Sequence, residues 1–108
     1  MPWLDLVSYF VGGLFLANAV PHFVSGVMGR PFQSPFAKRP GKGLSSSTVN
    51  VLWAYINIVV GYVLVFRVGD FESRNTAHIA ALGLGTLLAS LVLARQFGRY
   101  HGGNAANE

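Results

Sequence analysis

Three long apolar stretches, at residues 3–28, 49–68 and 76–98, constrain the fold of this chain more than any other feature. Each reaches the roughly 20 residues that a helix needs to cross the hydrocarbon core of a bilayer. Charged residues make up only 11% of the chain, against about 25% in soluble domains. The sequence therefore predicts a single all-α domain, residues 1–108, that is an integral membrane protein in contact with the lipid bilayer. We expect three transmembrane helices in an antiparallel up-down-up bundle.

The polar segments between these stretches predict the connections. Residues 29–48 are basic and rich in proline and glycine, which excludes a long helix there. The run Ser45 to Thr48 offers N-cap residues for the second helix, and Asn75 or Thr76 can cap the third. Gly102-Gly103 is expected to end the third helix, and residues 102–108 to form a flexible tail.

Polar residues interrupt the first apolar stretch. Asn18, His22 and Ser25 stand at positions i, i+4 and i+7, so they share one face of a helix. Pro21 cannot donate a hydrogen bond to the carbonyl of Ala17, and it is expected to kink the helix. Polar groups at membrane depth are costly and usually face protein or water, which makes this face a candidate functional site.

The second stretch carries matching polar residues, Asn50 and Asn57, on one helix face. At a rise of about 1.5 Å per residue, Asn57 reaches the same depth as Asn18. We therefore predict contact between Asn18 and Asn57 across the first two helices. The whole set is predicted to form a polar intramembrane seam, made of Asn18, Pro21, His22, Ser25, Asn50 and Asn57.

Small residues recur every four positions along the third stretch. They are Ala77, Ala81, Gly85 and Ala89. A row of small residues lets another helix approach closely, and this pattern is typical of helix-packing faces in membranes. The partner helix can belong to the same chain or to another one.

The basic residues predict the orientation. With three spans, six of the eight fall on the side of the first loop and the C-terminus: Arg30, Lys38, Arg39, Lys42, Arg95 and Arg99. The positive-inside rule then places the N-terminus outside and the C-terminus in the cytoplasm, with the bacterial inner membrane as the expected location. Because these residues lie in loops and form no stripe on a soluble surface, the charge does not indicate nucleic-acid binding.

Chemistry-bearing residues are few. The chain has no cysteine, and its four carboxylates lie at helix ends or in loops. His22 and His78 are expected near opposite membrane faces, so they cannot bind one ion together within a subunit. The sequence therefore indicates no catalytic residues, no metal site and no cofactor.

Three function hypotheses remain open. The first is a structural or accessory subunit that packs through its helices with copies of itself or with other membrane subunits. The second is a small oligomeric transporter or channel that uses the polar seam at Asn18, His22 and Asn57. The third is a membrane-embedded enzyme or cofactor binder that uses His22.

Overall fold

The computed structural model describes residues 2–40 and 42–103. It contains helix α1 (Pro2–Val27), helix α2 (Ser47–Tyr62) with a π-helical turn (Val63–Arg67), and helix α3 (Thr76–His101). All three helices are long and apolar enough to span a membrane, with α2 and its π turn counted as one span, Ser47–Arg67. The predicted three-helix membrane fold is confirmed.

Helix α1 lies between the other two helices. It packs along both α2 and α3, whereas α2 and α3 barely approach each other. Two adjacent glycines permit this arrangement, because neighbouring positions on a helix point about 100° apart. A methyl group at Gly12 would overlap Val65, and one at Gly13 would overlap the carbonyl of Leu82. Gly12 therefore admits α2 and Gly13 admits α3.

The outer surfaces of the helices are apolar. Leu84 and Leu91 on α3 are each 57% exposed, and Val59 on α2 is 58% exposed. Only 11% of the apolar 18-residue segment of α3 is buried within the chain, compared with 28% for the corresponding segment of each of the other two spans. Large apolar side chains covering a surface in this way fit a hydrocarbon solvent and would be unfavourable in water.

The ends of the helices follow local sequence signals. The N–H of Arg30 bonds the Ser25 carbonyl and the N–H of Gly29 bonds the Gly26 carbonyl, a Schellman motif with Gly29 at φ +72°. Ser46 caps α2 through the N–H of Val49. At the start of α3 the cap residue is Asn75, one of the two predicted candidates. Gly102, at φ +71°, ends α3 as expected.

The loop between α1 and α2 differs from a simple irregular connection. It contains a small antiparallel hairpin of strands β1 (Phe32–Gln33) and β2 (Leu44–Ser45), with Phe32 opposite Ser45. We call this side of the bundle the hairpin end. Helix α3 also extends to this end. It continues to His101, three residues beyond the predicted limit at residue 98, because no helix-breaking residue follows before Gly102. Residues 104–108 of the predicted tail lie outside the described residues.

At the opposite end, Tyr9 holds the second loop against α1. Its side chain is fully buried, and its ring centroid lies 5.2 Å from that of Phe71 and 4.8 Å from that of His78. A methyl group at Gly69 would overlap the tyrosine ring, so this loop residue must be small. His78 is therefore at the other end of the bundle from the hairpin.

Candidate functional site: a polar cleft at the hairpin end

His22 lies where all parts of the hairpin end meet. Its side chain is buried, with 2% exposure. The rings of Phe32, Trp53 and Phe97 approach it edge-on, with centroid distances of 5.6, 6.4 and 6.0 Å. These three residues belong to β1, α2 and α3, so the histidine of α1 contacts the hairpin and both other helices. Its Nδ1 atom is 2.7 Å from Oδ1 of Asn50.

Asn50 links His22 to the hairpin. Its Nδ2 lies 3.2 Å from the carbonyl oxygens of Phe32 and Ser45 and 3.0 Å from that of Ser46. These acceptors fix the orientation of the amide, because the flipped amide would place its oxygen against carbonyl oxygens. Asn50 Oδ1 can only accept, so Nδ1 of neutral His22 carries the proton and donates it. The Nε2 atom of His22 then has a free lone pair.

The second pair in the seam is Asn18 and Asn57. Asn18 Nδ2 donates to Asn57 Oδ1 at 3.0 Å, which confirms the contact predicted from helix depth. Asn57 is 1% exposed, and its own Nδ2 donates to the carbonyl of Trp53 at 2.8 Å. Both the oxygen and the nitrogen of the Asn57 amide are therefore hydrogen-bonded. This pair ties α1 to α2 near the middle of the bundle.

The hairpin covers this seam and is held to α3. The hydroxyls of Ser34 and Ser45 hydrogen-bond across the hairpin. Nε2 of His101 lies 3.0 Å from Oε1 of Gln33, and the His101 ring stacks on Phe32 with centroids 5.2 Å apart. The third apolar stretch was predicted to end at residue 98, before His101. The structure instead places it at the last position of α3, in contact with the hairpin.

The separation of α2 from α3 leaves a groove over α1. It has a volume of about 370 Å³, and its lining is apolar except for two asparagines. The lining residues are Leu14, Phe15, Asn18, Trp53, Asn57, Leu88, Ala89, Val92 and Leu93. At the hairpin end lies a smaller polar pocket of about 180 Å³, lined by Asn18, His22, Gln33, Ser34, Pro35, Trp53, Gln96 and Phe97.

The groove and the polar pocket share Asn18 and Trp53. They lie side by side, and we call the two together the seam cleft. Among residues 2–40 and 42–103, no carboxylate, lysine or arginine lines its polar pocket. Trp53, Gln33, Ser34 and Gln96 were not among the predicted site residues. A single tryptophan or glutamine in an apolar stretch gives no spacing signal, and neither does a polar residue in a polar loop.

Two of the predicted seam residues lie apart from the seam cleft. Pro21 lines a separate depression of about 590 Å³ between α1 and α3, together with Val24, Ser90 and Ala94. Helix α1 continues through Pro21 without a break. Ser25 is half-buried, and its hydroxyl takes no part in the side-chain hydrogen bonds described for residues 2–40 and 42–103. Asn18, His22 and Asn57 therefore line the seam cleft, and Asn50 supports it through its bond to His22.

The small residues of α3 divide into two groups. Gly85 and Ala89 are buried, and a methyl group at Gly85 would overlap the carbonyl oxygen of Phe10 on α1. Ala81 is half-buried and Ala77 is exposed. The close approach of α1 and α3 is therefore centred on Gly85, in the middle of the row.

The ionisable groups of the described residues form no metal-binding cluster. No three histidine, cysteine, aspartate or glutamate side chains among residues 2–40 and 42–103 lie close enough together to hold an ion. His22 and His78 contact different ends of the bundle. Comparison with protein-family models, with curated proteins and with solved structures found no match.

Proposed function

We propose that this small membrane protein is a structural or accessory subunit of a membrane assembly, and that it binds its partner through helix packing. The observation that carries the proposal is the depression between α1 and α3, beside the polar seam of α1. We call it the α1/α3 face and define it by Val20, Pro21, Val24, Ser90 and Ala94.

The chemistry of this face suits a transmembrane helix. Ser90, Ala94 and Gly98 are small, so a helix backbone can approach α3 closely there. Ala17 and Pro21 line the same face, and Pro21 has no amide hydrogen for the Ala17 carbonyl. In lipid, such a carbonyl takes its donor from a neighbouring helix, a hydroxyl or water. A partner helix that carries a hydroxyl would supply one.

The paired state of the seam favours packing over transport. A transport pathway needs a continuous row of polar groups that are free to receive a substrate or ion, whereas most polar groups of this seam bond one another. Asn18 bonds Asn57, and His22 bonds Asn50. In a subunit these bonds serve to hold α1, α2 and the hairpin together, as interhelical hydrogen bonds commonly do.

Orientation and location belong to the same proposal. Six basic residues lie on the loop and helix end around the hairpin: Arg30, Lys38, Arg39, Lys42, Arg95 and Arg99. By the positive-inside rule the hairpin end faces the cytoplasm and the N-terminus lies outside, in a bacterial inner membrane. Accessibility of single cysteines on the two loops to an impermeant thiol reagent tests this orientation.

Cysteine cross-linking tests the subunit proposal, because the natural chain has no cysteine. Ser90→Cys places a thiol on the α1/α3 face, and Val59→Cys places one on the outer face of α2, where Val59 is 58% exposed. In native membranes, a thiol-to-amine cross-linker should join the Ser90→Cys chain to a second protein or a second copy. Equal cross-linking from both positions would contradict the proposal, since random lipid-phase collisions give that result.

A substitution that fills the α1/α3 face provides a second test of the subunit proposal. Ala94→Trp fills the α1/α3 face, and Val59→Trp adds the same bulk to lipid-facing α2. We expect Ala94→Trp to dissociate the assembly and Val59→Trp to leave it intact. An assembly that survives Ala94→Trp would exclude this face as the interface.

A further inference from the structure

We propose that the basic loop at the hairpin end binds the phosphate head groups of anionic phospholipids at the membrane surface. This goes beyond the proposed subunit role, because it assigns a lipid ligand to a surface other than the α1/α3 face. The site is a turn between strands β1 and β2 that carries Lys38, Arg39 and Lys42. We call it the basic turn.

Backbone hydrogen bonds hold the basic turn closed. The N–H of Lys42 donates to the carbonyl of Arg39 at 3.0 Å, and the N–H of Gly43 donates to the same oxygen at 2.7 Å. Just before the turn, the N–H of Ala37 donates to the carbonyl of Ser34 at 3.3 Å. The backbone that carries the three cations is therefore already ordered before an anionic group binds, which lowers the entropy lost on binding.

The cations at this end have no counter-charge nearby. Lys38, Arg39 and Lys42 are exposed, and none of them forms an ion pair with another of residues 2–40 and 42–103. Arg95 and Arg99, one helical turn apart and exposed on α3, add positive charge at the same end. The carboxylates of the described residues surround Tyr9 at the opposite end of the bundle: Asp5, Asp70 and Glu72. A surface of one charge sign attracts ligands of the other.

A contact between the loop and α2 sets the depth of the basic turn. The ring centroid of Phe36 lies 5.2 Å from that of Trp53. Counted from Ser47, where α2 begins, Trp53 lies about 9 Å along the helix, at a rise of about 1.5 Å per residue. The loop therefore folds back alongside the bundle. This holds the basic turn, which begins two residues after Phe36, close to the ends of the apolar spans, where lipid head groups lie.

Exposed apolar side chains lie on both sides of the basic turn. Phe36 is 60% exposed and Leu44 is 57% exposed. Apolar groups beside cations fit the boundary of an anionic bilayer, where apolar side chains enter the hydrocarbon and cations meet phosphates. Free phosphate would match the cations alone, and an acidic soluble protein would offer no hydrocarbon. The combination therefore favours an anionic lipid.

The lipid selectivity of the full chain in reconstituted bilayers tests the inference. Spin-labelled phosphatidylglycerol or phosphatidylcholine is added in trace amounts to phosphatidylcholine bilayers that contain the protein, and electron paramagnetic resonance measures the fraction of label immobilised at the protein. One basic residue near an anionic surface raises affinity roughly fivefold. Because the label samples every lipid position around the protein, we expect an average preference for phosphatidylglycerol of about two- to fivefold. Equal association of the two lipids would overturn the inference.

Paired variants with equal changes in charge locate the site. Arg39→Gln with Lys42→Gln removes two charges from the basic turn, and should lower the preference for phosphatidylglycerol at least about twofold. Arg67→Gln with Arg74→Gln removes two exposed charges at the opposite end of the bundle, and should leave the preference unchanged. An unchanged preference in the first pair, or an equal reduction in both pairs, would overturn the inference.

Salt and free phosphate supply the remaining controls. At about 1 M salt, where the Debye length is about 3 Å, the preference should largely disappear. Inorganic phosphate, compared with chloride at equal ionic strength, should not reduce it; competition by phosphate would indicate a site for the free ion and would overturn the lipid assignment. The comparison of two lipids on the unchanged protein needs no variant and reports on lipid alone, so this inference and the subunit proposal can fail separately.

Discussion

Replacement of Asn50 by alanine should destabilise the protein more than any other single change in the seam. Asn50 is completely buried, and its side chain bonds α1, the hairpin and the start of α2 together. Alanine keeps the helix but removes every one of these bonds.

The expected magnitude follows from the hydrogen bonds lost. The amide of Asn50 has two N–H hydrogens, so it donates to two of its three nearby carbonyls at once, and it accepts one bond from His22. At about 0.6 kcal/mol per bond in membranes and about 1 kcal/mol in proteins generally, three bonds amount to roughly 2–3 kcal/mol. The buried N–H of His22 is also left unpaired, which adds to the loss.

Asn57→Ala is the matched control. It removes the same amide from the same face of α2, but only two bonds, one accepted from Asn18 and one donated to the Trp53 carbonyl. The expected loss is about 1–2 kcal/mol. Because Asn57 does not touch the hairpin, this variant should leave the hairpin in place.

Reversible unfolding in mixed detergent micelles measures the stability of both variants. Hydrogen exchange of residues 32–45 reports separately on the hairpin. Asn50→Ala should lower the free energy of unfolding more than Asn57→Ala does. Asn50→Ala should also raise hydrogen exchange across the hairpin, whereas Asn57→Ala should leave this exchange unchanged. Equal losses, or unchanged hairpin exchange in Asn50→Ala, would refute the role assigned to Asn50.

Two further predictions concern helix packing. Gly85→Ala forces a methyl group against the Phe10 carbonyl, whereas Gly83→Ala on the open side of α3 meets nothing within 4 Å. We expect Gly85→Ala to lower the free energy of unfolding by about 1–3 kcal/mol. Gly83→Ala should change it by no more than about 1 kcal/mol. Similar unfolding midpoints for the two would contradict the close α1–α3 contact. Ser8→Ala removes the hydroxyl bond to the Leu64 carbonyl in the π turn, and should cost about 1 kcal/mol in the same unfolding assay; a neutral result would show that this bond does not support the turn.

The membrane fold could be predicted because its signals are long and redundant. Three apolar stretches and polar connections leave few alternatives for a short chain. The contact between Asn18 and Asn57 was also predictable, since helix rise gives each residue a depth once the topology is set. The caps at Ser46 and Asn75 followed from local side-chain chemistry.

The hairpin and the seam cleft could not be predicted in the same way. Strands of two residues are too short to show alternation, and the contact of His101 with Gln33 joins residues 68 positions apart. The row of small residues on α3 indicated a packing face, but only the structure identifies Gly85 as its closest point to α1. The position of Pro21 depends on which side of α1 receives α3, and helix periodicity does not fix that.

The mass of the native complex, extracted gently from its own membrane and analysed together with everything that co-purifies, tests the subunit proposal most directly. We expect an assembly larger than one chain, containing further copies or other membrane proteins, that Ala94→Trp dissociates and Val59→Trp does not. A single chain without any protein partner, obtained under conditions that preserve other assemblies of the same membrane, would contradict the proposed function.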